Sequence, residues 1–100
     1  MMEEDDKNID VPEGQRLIQF SGRECVHCKE MDPIVEQLQK DTGLRITHLE
    51  CWHDEKNLAL FEKYDQGRCQ GVPFFYNEKT TKWICGNCDY DALKKWAMGE

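Results

Sequence analysis

Cys25-Val26-His27-Cys28 decides how this chain is read. Two thiols three positions apart can close a disulfide with each other or grip a metal. The residues on either side bear on the choice. Arg16-Leu17-Ile18-Gln19-Phe20 precedes the pair and ends at Ser21-Gly22. An apolar run bounded by turn residues predicts a strand. After the pair, Met31, Ile34, Val35 and Leu38 recur at helical spacing. That pattern predicts a helix from Cys28 to Asp41, stopped at Thr42-Gly43. Pro33 lies inside it and is expected to kink it. Cys25 therefore stands where the helix opens, and Cys28 lies one turn in.

That placement assigns roles. A thiolate, not a thiol, attacks disulfides and binds metals. The opening turn of a helix offers unpaired N–H groups and the positive end of its dipole, which lower a thiol pKa. Cys25 is then the attacking thiol and Cys28 the resolving one. His27, when protonated, adds to the stabilisation of the thiolate. Glu24 opposes it by like charge.

Further along, Leu44 to Cys51 reads as a second strand. Asp54 is placed to cap a helix through Leu58 and Phe61 to about Asp65. Val72 to Tyr76 is a strand with proline at its start. Asn77 to Thr81 is a hairpin turn into a strand from Lys82 to Cys85. Asp89 caps a last helix carrying Leu93, Trp96 and Ala97. The order β-α-β-α-β-β-α predicts an α/β domain with one mixed sheet of about four strands flanked by helices.

At this point the chain resembles the thioredoxin superfamily. An apolar strand leads into Cys25-Val26-His27-Cys28-Lys29, Pro33 follows eight positions after the first cysteine, and Gly71-Val72-Pro73 and Gly86 come later in order. The likeness covers Arg16 to Met98. It implies a thioredoxin-like fold and thiol–disulfide oxidoreductase activity. It also implies a cis Val72-Pro73 bond facing the dithiol, and a substrate groove formed by Val72, Pro73 and Gly86. The partners implied are protein or small-molecule thiols and disulfides, and the redox reading requires no cofactor. The departures are specific too. Glu24 replaces the tryptophan before the first cysteine, and Val26-His27 replaces Gly-Pro. Gln19 stands for the buried aspartate, His48 for its lysine neighbour, and the usual first strand and helix are missing. They remove the presumption of ordinary thioredoxin activity.

Cys85-Gly86-Asn87-Cys88 is foreign to that pattern. The resemblance would bring it beside the first pair. Cys25, Cys28, Cys85 and Cys88 would then be a tetrahedral zinc set, an iron–sulfur ligand set, or two dithiols exchanging electrons. Cys51 is read as a small buried hydrophobe. Cys69 lies just before the proline segment and approaches the groove. His48 and His53 are not assigned to metal, and the tryptophans are read as core or rim aromatics.

Composition sets bounds on these readings. One hundred residues suffice for a single domain, taken as 15–100, preceded by a flexible acidic tail over 1–14. A net charge of −7 argues against nucleic acid and anionic membranes as partners. No apolar run approaches the roughly 20 residues that span a bilayer. Met1-Met2-Glu3-Glu4-Asp5-Asp6 does not read as a signal peptide. Two CxxC pairs point to redox or metal chemistry in a reducing compartment, the cytoplasm or an organelle interior, rather than a secreted disulfide framework.

Overall fold

The computed structural model describes residues 11–100. Most of the expected acidic tail, residues 1–10, lies outside the described residues. The chain forms β1 (Leu17–Ser21), α1 (Val26–Thr42), β2 (Ile46–Glu50), α2 (Glu55–Asp65), β3 (Phe74–Asn77), β4 (Trp83–Cys85) and α3 (Tyr90–Ala97). The order matches the sequence expectation, with ends shifted by one or two residues.

The four strands make one mixed sheet in the order β2-β1-β3-β4. β1 runs parallel to β2, with Leu17 opposite Ile46. It runs antiparallel to β3, with Leu17 opposite Asn77. β4 pairs antiparallel with β3, Phe74 opposite Cys85. All five residues of β1 are buried. That explains why its sequence shows a run rather than an alternation, since helices cover both faces of the sheet.

Alternation along the strands sorts the side chains into two cores. Leu17, Ile46 and Phe75 face α1 and α3 and pack with Met31, Val35, Leu38, Leu93, Trp96 and Ala97. Ile18, Phe20, Phe74 and Tyr76 face α2 and pack with Phe61 and Cys51. Phe20, Phe61 and Phe74 meet with centroids 5.4–6.1 Å apart, two of the three contacts edge-on, the arrangement ring quadrupoles favour. α1 continues through Pro33 and ends at Gly43.

Pro12 to Gln15 form a turn, with the Gln15 N–H donating to the Pro12 carbonyl at 3.1 Å. The described end of the expected tail is thus held in place, and what holds it is Glu78. Its carboxylate accepts from the backbone N–H of Gly14 and of Arg16, from the Arg16 guanidinium, and from the Tyr64 hydroxyl at 2.6 Å. One side chain on the β3–β4 turn thereby fastens the entry of β1 and the end of α2. Burial works to raise the Glu78 pKa, but the hydrogen bonds from Arg16 and Tyr64 outweigh it and hold the carboxyl at about 2.

Because the folded-state pKa lies below the unfolded one, the stability it contributes is full above the ordinary value of 4.5 and is lost as pH falls toward 2. Denaturant unfolding of wild type and Glu78→Gln should therefore differ by roughly 2–3 kcal/mol at pH 7. The gap should narrow as pH falls from 4.5 to 2.5. A gap that stays constant over that range would contradict this role for Glu78.

Candidate active site

β1 delivers the chain to a tight turn in which the Cys25 N–H donates to the Gly22 carbonyl at 3.0 Å. Cys25 then takes an extended conformation (φ −80°, ψ 111°) and acts as the N-cap of α1. Its sulfur accepts the Cys28 backbone N–H at 3.1 Å. An N-cap side chain normally supplies an oxygen to one of the free N–H groups of the first turn; here a sulfur does so. No acidic side chain sits in that first turn. The helix thus begins right after the first cysteine, two residues earlier than the apolar periodicity alone predicts, and Cys28 lies inside it. Cys28 lies on the helix face that also carries the buried Met31, Val35 and Leu38.

Cys25 and Cys28 are paired at disulfide distance, with Cα atoms 5.3 Å apart. Both cysteines are buried, Cys25 at 6 % exposure and Cys28 at 3 %. Across from it, the Val72 carbonyl oxygen lies 3.8 Å from the Cys25 sulfur. The Val72-Pro73 bond is cis, as the resemblance implied. The Pro73 carbonyl accepts the Gly86 N–H at 2.8 Å. Gly86 has φ +86°, a backbone conformation that a side chain would strain. Cys25, Val72, Pro73 and Gly86, expected to share a groove, are therefore linked neighbour to neighbour.

The charged surroundings differ from the sequence reading in two respects. His27 is exposed and its Nδ1 lies 3.1 Å from Glu30. Glu30 also accepts from Asn87 Nδ2 at 2.7 Å, which ties α1 to the loop after β4. Hydrogen bonds from His27 and Asn87 lower the Glu30 pKa. Glu24 points away to His53, whose Nε2 is 3.2 Å from its carboxylate. The other ring nitrogen of His53 is 2.9 Å from Glu50. Glu50 in turn accepts the Arg23 N–H at 2.8 Å and the His53 N–H at 3.0 Å. Hydrogen bonding from His53 is the largest cause holding Glu50 at about 2. His53, read from sequence as a plain loop histidine, thus joins the residue before Cys25 to the end of β2. Only the i, i+3 spacing of Glu50 and His53 hinted at this.

Gln19 is buried, and its side-chain nitrogen has no hydrogen-bond partner among the described residues. It borders an open cleft of about 750 Å³ between α1 and β2, together with Asp32, Glu36, Gln39 and His48. His48 is hydrogen-bonded through Nε2 to the Ser21 hydroxyl. This cleft does not include either cysteine of the pair.

The second CxxC pair does not close on itself. Cys85 is paired with Cys69, Cα atoms 5.5 Å apart, while Cys88 and Cys51 are free. Strand alternation accounts for it. Ile84 packs with the α1–α3 core, so its neighbour Cys85 faces the α2 side, where Cys69 packs. Past Gly86 the chain returns to the first side, and Cys88 packs there. Cys25, Cys28, Cys85 and Cys88 are accordingly not gathered at one point. Among the described residues no three His, Cys, Asp or Glu side chains converge as a metal ligand set. Burial, aided by Glu50, pushes the Cys51 thiol up to about 11, as expected of a small buried hydrophobe. Burial also raises Cys88, with Asp89 adding to it. No helix among the described residues is long and apolar enough to cross a membrane.

Comparison with known proteins finds no matching family model and no matching curated relative.

The pairing is directly checkable. Alkylation of the oxidised, denatured protein should add two groups, at Cys51 and Cys88, by peptide mass mapping. Labelling at Cys69 or Cys85 in place of Cys88 would contradict the pairing.

Proposed function

We propose that this domain is a thiol–disulfide oxidoreductase of thioredoxin-like fold. The observation that carries the reading is Cys25 as the N-cap of α1, its sulfur on the Cys28 N–H and paired with Cys28. Negative charge on that sulfur is favoured by the N–H and the helix dipole. Reduction of the pair therefore yields a stabilised thiolate, and a stabilised reduced form makes the disulfide a better oxidant.

In the reducing direction, the Cys25 thiolate attacks one sulfur of a partner disulfide. A Cys25–partner bond forms, the partner's S–S bond breaks, and its first sulfur leaves with a proton. Cys28, deprotonated, then attacks the Cys25 sulfur. The Cys25–Cys28 disulfide forms and the second partner thiol leaves. Two electrons pass to the partner, and two protons from the dithiol end on its thiols. The same steps reversed oxidise a partner dithiol. The Val72 carbonyl, 3.8 Å from the Cys25 sulfur, and the neighbouring cis-Pro73 offer backbone against which a partner strand can align. The exposed Cys85 and its partner Cys69 brace this wall: one precedes Gly86 and the other precedes Val72.

Exchange with hydroxyethyl disulfide measures this. Cys25→Ser should abolish turnover, by at least about 10³-fold. Cys28→Ser should accumulate a mixed disulfide on Cys25, visible by mass. A Cys25→Ser variant as active as wild type would sink the reading.

A further inference from the structure

The three tryptophans are not alike. Trp96 is buried, with its Nε1–H donating to the Lys82 carbonyl at 3.1 Å. Trp83 lies near Phe74 and carries the Arg68 guanidinium 4.6 Å from its ring. Both have structural work. Trp52 is 51 % exposed, belongs to neither core, and its indole N–H has no partner among the described residues. A tryptophan packed only for stability normally buries its ring and finds a partner for its N–H.

Nevertheless the fold holds Trp52 in a fixed place. Its ring lies directly on Gly22, where a Cβ would stand inside the ring's van der Waals envelope. The flanking residues are clamped to the opposite turn. The Cys51 N–H donates to the Ser21 carbonyl at 2.8 Å, and Glu50 takes the Arg23 and His53 N–H groups. His53 reaches across to Glu24. The segment around Trp52 is thereby fastened to the Gly22–Glu24 turn, and Gly22 is the residue whose carbonyl receives the Cys25 N–H. Next along the chain from Cys25, Val26 is 65 % exposed. Two exposed apolar side chains thus belong to the segments next to the disulfide: Val26 follows Cys25, and Trp52 rests on Gly22 of the turn that leads into Cys25.

Charge around the indole is mostly acidic. Glu50 precedes Trp52 by two residues, Glu24 follows Gly22 by two, and Asp54 and Glu55 open α2, against Arg23 and Lys56. His53 sits between the first two carboxylates. The chain as a whole carries −7.

We infer that Trp52 is a substrate-recognition residue, and that the partner is a polypeptide disulfide with an apolar side chain and a lysine or arginine beside its cysteine. This rests on the proposed oxidoreductase reading. The apolar side chain packs on the indole and Val26, and the basic one meets Glu24. Small disulfides do not reach the indole and are indifferent to it.

The test uses the reduced full chain and three probes. Two are symmetric disulfides of short peptides, one with Phe and Lys beside the cysteine, the other with Gly and Glu. The third is hydroxyethyl disulfide. Wild type should reduce the Phe/Lys peptide about five- to tenfold faster than the Gly/Glu peptide. Trp52→Ala should cut that preference below about twofold, while its rate on hydroxyethyl disulfide stays at the wild-type level. Trp52→Phe should keep most of the preference, and Gly22→Ala, which displaces the ring, should behave as Trp52→Ala does. The inference is overturned if Trp52→Ala keeps the preference, or if it slows all three probes alike. Wild type that exchanges with hydroxyethyl disulfide but shows no peptide preference overturns this inference alone. Wild type inert toward all three overturns the oxidoreductase reading as well.

Discussion

The sulfur of Cys25 on the N–H of Cys28 is the contact on which the rest of the site depends. On the proposed reading it makes one residue serve as both helix cap and reactive group. A helix must satisfy its first N–H groups with something, and oxygen-bearing side chains are the usual means. Using sulfur couples the start of α1 to the chemistry of the thiol. The same backbone groups that need a partner for folding favour negative charge on that partner. β1, buried along its whole length at the centre of the sheet, fixes where α1 begins. β3, its antiparallel neighbour, brings Val72 and Pro73 to the far side of Cys25.

Support for this arrangement comes from outside the pair. Glu78 holds the entry of β1 on the β3–β4 turn by accepting four hydrogen bonds from Gly14 and Arg16, and takes a fifth from Tyr64 of α2. The Cys69–Cys85 pair joins the loop before β3 to the end of β4. Glu50 and His53 fasten the β2–α2 segment to the turn before Cys25. Each brace ties together segments distant in sequence: the last two lie at the dithiol's end of the sheet, and Glu78 lies at the opposite end, where β1 begins. On the proposed reading they keep the wall, the thiol and the indole in register while the cysteines cycle between bonded and free.

The order of elements was legible because each carries a local signal. Helical spacing of Met31, Val35 and Leu38, capping by Asp54 and Asp89, and the Asn77 turn all act within a few residues. The Cys25–Cys28 pair and the cis proline were legible from motif order. What was not legible depends on which face a strand presents and on contacts between distant turns. Spacing suggests Cys85 with Cys88, yet strand alternation sends them to opposite sides and gives Cys85 to Cys69. Glu24 beside Cys25 reads as an unopposed charge until His53 is seen on it. Glu78 gives no sign in the sequence, since its five donors come from two segments distant from it, residues 14–16 and Tyr64. Gln19 stands out in the sequence as polar in an otherwise apolar strand, but that its nitrogen finds no partner among the described residues depends on the packing around it.

The central claim concerns the charge state of one sulfur. The most direct measurement is the thiol pKa of Cys25 in the reduced protein, from the pH dependence of its alkylation rate followed by peptide mass. The account predicts a value at least about one unit below the ordinary cysteine value of about 8.5, with Cys28 above Cys25. A Cys25 thiol titrating at or above about 8.5 would contradict it.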